Sequence, residues 1–417
     1  MASVRSTIIP RLLAPRLQEA LADTPVVLIH GPRQSGKTTL ARLVGDKAGY
    51  RYVSFDEEAV RMAAESDPSG FVAELPDRVI LDEVQRVPML FRALKVAVDR
   101  RRTPGRFLLT GSANVLLVPM LADSLAGRMA ILRLYPFSQC ELVRRPPRFL
   151  DALFAGRFPT RLVGRLGAEL AERIVAGGYP AALARRTLAR RRAWYRDYVE
   201  TQIQRDVRDL SRIRSLDTLP RLLALAASHT ARLLNVSDLA GPFQLSRQTI
   251  DDYVVLLEAV FLLQRLPAWH HRRMSRLVKT PKLHMGDTGV AATLLGVDAS
   301  AVVREREMLG ALLETFVLQE LQRQASGLDV PVGFFHFRDR DGYEVDIVVE
   351  RGAGAVAGVE VKAASSVTAG DFRGLRRLEA AAGERFAHGV VLYDGEATIP
   401  FGERLHAVPV RTLWEAT

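Results

Sequence analysis

Val26-Val27-Leu28-Ile29-His30-Gly31-Pro32-Arg33-Gln34-Ser35-Gly36-Lys37-Thr38-Thr39 is the stretch that decides the fold. Val26 to Ile29 is a short apolar run, which reads as a buried strand. Gly31 to Thr38 then fits G-x-x-x-x-G-K-[ST], and a helical pattern follows from about Lys37 to Ala48. The glycines let the backbone of Gly31, Pro32, Arg33, Gln34, Ser35 and Gly36 wrap a phosphate with N–H groups pointing inward. The helix N-terminus, carrying Thr38 and Thr39, adds a positive dipole end. Lys37 can reach the β and γ phosphates, and the Thr38 hydroxyl can ligate Mg²⁺. The expected ligand is a nucleoside triphosphate, ATP or GTP, with magnesium.

Outward from this loop the pattern repeats. Strands are expected at Tyr52–Asp56, Val79–Asp82, Arg106–Thr110 and Ala130–Tyr135, with helices at Leu90–Arg101 and Val115–Ala126. Strands alternating with helices indicate a parallel, doubly wound α/β sheet. Val79 to Glu83 is an apolar strand ending in two acids. Asp82 is assigned to the metal and Glu83 to the attacking water, against the alternative of two solvated loop acids. In Phe107 to Asn114, Thr110 and Ser112, and less so Asn114, are placed to sit between Glu83 and the γ-phosphate. Ser112 or Asn114 can instead cap the next helix. Arg128 follows Gly127 and can project from the domain edge onto a transferring phosphoryl group, in cis or from a second copy of the chain. The competing reading is a structural salt bridge.

Residues 24–136 resemble an ATPase of the AAA superfamily. The whole chain resembles a widespread prokaryotic family in which an AAA-type domain precedes a C-terminal domain of unknown function. The matching strings are GPRQSGKTT, YVSFDE, VILDEVQ, LTGSAN, SLAGR, GGYP, RDRDGYEVDIVVE and VEVK. The resemblance implies ATP hydrolysis and reinforces the roles of Asp82, Glu83 and Arg128.

The middle of the chain reads as a helical, arginine-rich region over 141–210, then a winged-helix-like domain over 211–300. Arg185, Arg186, Arg190, Arg191, Arg192 and Arg196 form a nucleic-acid patch or a solvated helix face. Asn235 to Ala240 is a short helix, Gly241 and Pro242 break it, and Ser246 opens a second helix. In that helix Ile250, Val254 and Leu257 share a buried face, while Arg247, Gln248 and Asp251 lie at the exposed first turn. This is the layout of a helix-turn-helix. Phe261–Leu266 and Lys282–Met285 are its wing strands, with His270, His271, Arg272, Arg273, Arg276 and Lys279 between them for backbone phosphates. Winged helices also act as lids and protein contacts, so DNA contact stays one of two readings.

The last part, 301–417, carries a third constellation. Glu314 lies on a mainly apolar helix. Phe334–Phe337 and Tyr343–Val349 flank the turn Arg340-Asp341-Gly342, a hairpin signal. Asp346 interrupts the second strand, and Glu360 and Lys362 share one face of a third, Val356–Val361 and its continuation. Asp346 and Glu360, completed by Glu314, can hold Mg²⁺ against a phosphodiester while Lys362 orients the attacking water. Glu344 is a possible stand-in for Asp346. This D…E-x-K string resembles the restriction-endonuclease-like fold. The alternatives are a solvated Glu–Lys pair and a nuclease fold that binds without cutting.

Composition narrows the functional classes. The 417 residues are 48% hydrophobic and 25% charged, an ordinary globular balance that excludes disorder and fibrous repeats. A single cysteine, Cys140, rules out an intrachain disulfide and fits a cytoplasmic setting. No stretch is apolar enough for a membrane span or signal peptide. The net charge of +11 suits a polyanionic partner, although 52 of the basic residues are arginines and only six are lysines, as compositional bias also produces. Where lysine survives, as at Lys37 and Lys362, a compact ammonium is implied. The leading expectation is an ATP-hydrolysing enzyme that acts on DNA and has a nuclease-like C-terminal domain. The alternatives are a nucleotide-switched DNA- or protein-binding protein that does not cut, and a protein-remodelling ATPase.

Overall fold

The computed structural model describes residues 8–112, 125–160, 162–207, 217–272, 276 and 279–415. Contacts divide the chain into two units, residues 1–137 with 259–261, and residues 138–258 with 262–417. The divisions expected near 210 and 300 fall inside the second unit.

The first unit is built on a parallel five-stranded sheet of β1 (Val26–His30), β2 (Arg51–Ser54), β3 (Val79–Asp82), β4 (Phe107–Gly111) and β5 (Met129–Arg133). The strand order is β2-β3-β4-β1-β5. β1, β3 and β4 are buried along their whole length, as a parallel sheet covered on both faces requires. Alternate residues feed opposite cores. Val26, Leu28, Leu81 and Leu109 pack against Leu90, Phe91 and Leu94 of the helix Leu90–Arg100. Val27, Ile29, Ile80 and Leu108 pack with Leu13, Leu17 and Leu40 on the other side. β2 and β5 lie one or two residues from their expected bounds. Most of the helix expected over 115–126, with Asn114, lies outside the described residues, as does Arg273.

In the second unit the helices Val236–Ala240 and Arg247–Ala259 are joined by a short turn. They accompany a three-stranded antiparallel sheet of β6 (Arg232–Leu233), β7 (Leu263–Leu266) and β8 (Lys282–Met285), in the order β6-β8-β7. The helix Arg306–Ala325 leads into β9 (Val332–Arg338), β10 (Glu344–Arg351), β11 (Ala355–Lys362), β12 (Phe386–Tyr393), β13 (Ile399–Pro400) and β14 (Leu405–Pro409). These six strands form one mixed sheet, antiparallel across β9-β10-β11 and parallel across β11-β12-β14. The helix Arg373–Ala382 makes the crossover between the parallel strands β11 and β12.

The GGYP string has a packing role. Gly177 has φ +67, and a Cβ there would lie 2.2 Å from both Asp287 Oδ1 and the Tyr195 hydroxyl. The buried Asp287 carboxylate accepts from the backbone N–H of Gly178 (2.9 Å) and Gly289 (2.9 Å), and from the Arg323 guanidinium (3.1 Å). The arginine-rich helix Leu188–Thr201 turns Tyr195 and Tyr198 inward and leaves Arg190 and Arg196 exposed. Among the described residues no helix is long and apolar enough to cross a membrane.

Candidate functional site

The strand order explains the first site. β4 lies between β1, which feeds the phosphate loop, and β3, which ends in the two acids. Residues at the β4 terminus therefore sit between loop and acids. Thr38 Oγ1 donates to the Asp82 carboxylate at 3.0 and 3.1 Å. Thr110 Oγ1 also donates to Asp82 and accepts the Glu83 backbone N–H at 3.3 Å. Ser112 Oγ donates to Glu83 Oε2 at 2.7 Å, and Gln85 Nε2 bonds both groups. Of the two polar residues expected at the strand end, Ser112 faces Glu83 and Thr110 faces Asp82.

Glu83 holds a left-handed backbone, φ 59°. Burial pushes its carboxyl up, but Lys37, Ser112 and Gln85 outweigh that and hold it below the usual range. It is therefore an ionised acceptor at neutral pH. The Lys37 ammonium donates to the carbonyls of Gly31 (3.0 Å) and Pro32 (2.9 Å), spanning the loop. Gly31 is obligatory, because a Cβ there would lie 2.2 Å from the Leu134 carbonyl oxygen. Gly36, in left-handed conformation, opens the helix without a side-chain cap, which leaves its first N–H groups to the loop. Pro32, Arg33, Gln34, Ser35 and Thr39 complete the segment in the order expected.

Sequence reading missed Arg11. Its guanidinium donates to the carbonyls of Ser35 (2.7 Å) and Tyr135 (2.6 Å) and lies over the Phe137 ring. It buttresses the outer side of the phosphate loop. A lone arginine before the first strand carries no local signal. Of the two readings of Arg128, this structure shows the salt bridge. Its guanidinium holds Asp99 with two hydrogen bonds, 2.6 and 3.1 Å, and donates to the Ala126 carbonyl. The salt bridge is thus formed in this structure, and no projecting arginine is seen at this position.

The C-terminal constellation is brought together, but not as an open cation shell. Asp346 on β10 and Glu360 on β11 are neighbours, and Asp346 Oδ2 accepts the Val361 N–H at 2.9 Å. Glu314 reaches the same place from its helix. Between Glu314 and Asp346 sits the ammonium of Lys282 from β8, 2.8 Å from Glu314 Oε1 and 3.1 Å from Asp346 Oδ1. Its side chain is 5% exposed. Lys362 bonds Glu360 Oε1 at 2.8 Å.

Burial presses the Lys282 ammonium down, but Asp346 and Glu314 reverse this and raise it further. Asp346, despite burial, is held low, chiefly by Lys282. Glu314 is driven well up by burial and by Asp346, and Glu360 is pushed up to about 8 for the same two reasons. The cluster is thus a buried Lys282–Asp346 ion pair flanked by carboxyls that favour the protonated form. Among the described residues no three His, Cys, Asp or Glu side chains converge to hold a metal ion. The expected metal shell of Glu314, Asp346 and Glu360 does not fit this geometry, because Lys282, which sequence reading placed only in a wing strand, occupies its centre. Glu344 pairs with Arg338 at 2.9 Å.

Residues 23–143 match the AAA domain family, residues 167–301 a domain of unknown function (DUF8612), and residues 309–413 another (DUF4143). The uncharacterized proteins Rv2008c of Mycobacterium tuberculosis and Mb2031c of Mycobacterium bovis are each 31% identical over 401 residues, covering 95% of this chain and 82% of theirs. Among solved structures, the Walker-type ATPase PABY2304 of Pyrococcus abyssi shares 17% identity at a TM-score of 0.44, over 70% of this chain and 97% of its own. The Holliday junction branch migration motor RuvB of Thermotoga maritima shares 18% identity at a TM-score of 0.28, over 61% of this chain and 89% of its own.

Proposed function

The chain belongs to the same family as the two mycobacterial proteins and is an ATPase with an AAA domain; from that premise, we propose that it is a magnesium-dependent, nucleotide-switched ATPase that binds DNA without cutting it. Magnesium fits the Thr38–Asp82 pair, a hydroxyl and a carboxylate beside the phosphate loop, and would neutralise charge between the β and γ phosphates. Lys37 leaves the Gly31 and Pro32 carbonyls for the phosphates. Glu83, oriented by Ser112 and Gln85, holds the attacking water.

DNA contact is assigned to a winged helix. Ser246, Arg247 and Gln248 are exposed at the first turn of the helix Arg247–Ala259, where Ser246 Oγ accepts the Thr249 N–H at 3.1 Å. The strand order of the C-terminal domain, with Asp346 and Glu360-x-Lys362 on adjacent strands, supports a restriction-endonuclease-like fold. The observation that carries the choice against cutting is Lys282, whose ammonium fills the space a catalytic cation would need.

The test uses supercoiled plasmid with the full chain and Mg²⁺, with and without ATP. The expected result is salt-sensitive DNA binding, ATP hydrolysis and intact plasmid. Nicking lost in Asp346→Ala would establish cutting and sink this reading. Binding unchanged in Arg247→Ala/Gln248→Ala would remove the winged helix from it.

A further inference from the structure

A cleft of about 500 Å³ opens in the second unit between the segment after β7 and the turn after β9. The chain beyond β7 runs beside β9. The Trp269 N–H donates to the His336 carbonyl (2.6 Å), and the His336 N–H donates to the Pro267 carbonyl (2.9 Å). Trp269 is buried, packs against Phe337 and donates its indole N–H to Glu350 at 3.1 Å. This anchor presents the next two side chains to the cleft. The rings of His270 and His271 stack at 4.3 Å between centroids and 28° between planes.

The charges lining the cleft are unequal. Asp339 is the one carboxylate in the lining among the described residues, and it is spent on the turn, accepting from the N–H groups of Asp341 and Tyr343 at 2.9 Å each. Arg338 is paired with Glu344. Lys279 makes a long contact, 3.4 Å, to the Arg338 carbonyl. Arg340, exposed on the turn, has no side-chain hydrogen bond or ion pair among the described residues. Two cations and a stacked imidazole pair therefore face one concave space. A base inside a duplex has both faces covered by its neighbours and cannot enter. An unstacked base can lie on the imidazoles while its flanking phosphates reach the cations.

We propose that this cleft binds an unstacked nucleotide of a single-stranded nucleic acid, with its base against His270 and His271 and its phosphodiesters on Lys279 and Arg340. The proposal rests on the nucleic-acid reading above. It adds a second contact, separate from the helix that carries Arg247, and gives the protein a preference for duplex that is partly opened.

The experiment measures fluorescence anisotropy of the full chain with oligothymidylate, oligouridylate and a blunt duplex of equal length. Parent, His271→Ala, Arg340→Ala and Arg247→Ala/Gln248→Ala are compared, with unchanged circular dichroism and ATPase rate confirming folded protein. His271→Ala and Arg340→Ala are each expected to weaken single-strand binding about tenfold and leave blunt-duplex binding within about twofold, because one stacked base or phosphate contact is lost. The Arg247 variant is expected to do the reverse. The preferred oligonucleotide identifies DNA or RNA as the strand. Single-strand affinity unchanged in both cleft variants overturns the cleft while leaving the winged-helix reading intact. A parent that binds none of the three ligands overturns both.

Discussion

Replacing Lys282 with methionine isolates the ion pair at the centre of the C-terminal cluster. Methionine keeps an unbranched side chain of similar length but no charge, so Asp346 and Glu314 lose the ammonium 3.1 and 2.8 Å away. Asp346 is then a buried carboxylate with the Val361 N–H and the more distant Lys362 to support it. Breaking one side of a buried pair costs roughly 3–5 kcal/mol. The three tryptophans, Trp194, Trp269 and Trp414, all lie in the second unit, so their fluorescence in urea follows that unit alone. With an m-value near 3 kcal/mol/M, the midpoint should fall by about 1 M or more.

The pH dependence has a fixed sign. The raised Lys282 contributes stability below its unfolded pKa and loses it as pH rises through the folded value. The depressed Asp346 contributes above its unfolded pKa and loses its share as pH falls through the folded one. The gap between parent and Lys282→Met should be widest from about pH 4 to 10. Adding Asp346→Asn to Lys282→Met should recover more than half the loss. A midpoint within about 0.3 M of the parent, or no recovery in the double variant, would refute the buried pair as the organising contact.

Other consequences are equally direct. Glu83→Gln should keep nucleotide binding and lower kcat for ATP roughly 10²–10⁴-fold, as loss of a water-positioning group does, checked by phosphate release and by nucleotide titration. Arg11→Ala should raise KM for ATP several-fold with little change in kcat, because it loosens the Ser35 carbonyl and not the acids. Gly177→Ala should cost at least about 3 kcal/mol, since the new methyl would displace the buried Asp287 and Tyr195 groups; tryptophan-monitored urea unfolding measures it. Glu320 is buried and pushed up to about 7 by desolvation, against the pull of Arg323. Its folded state therefore binds a proton more tightly than the unfolded chain. Glu320's own contribution to the stability of the second unit should decline by about 3 kcal/mol as pH rises from 4.5 to 7, in addition to that of Glu314 and Glu360, and Glu320→Gln should remove that share of the slope.

Much of the nucleotide site was legible because its parts are local. A strand, a glycine loop and a helix lie within twenty consecutive residues, so backbone conformation and charge can be read from spacing alone. The acids at Asp82 and Glu83 were legible for the same reason, since a buried strand that ends in carboxylates is a pattern within one segment. The hairpin at Arg340–Gly342, the helix pair before β7 and the shared face of Glu360 and Lys362 were also short-range patterns.

What tertiary structure alone decided concerns partners far apart in the chain. Thr110 meets Asp82, and Ser112 meets Glu83, because β4 is inserted between β1 and β3. Arg11 reaches Tyr135 across 124 residues, and Lys282 reaches Asp346 across 64. Arg128 is held by a helix 29 residues earlier. A charged side chain carries no local mark of its counter-ion. Burial makes an unpaired charge so costly that the fold must supply one, and which residue it supplies follows from the order in which strands are laid side by side.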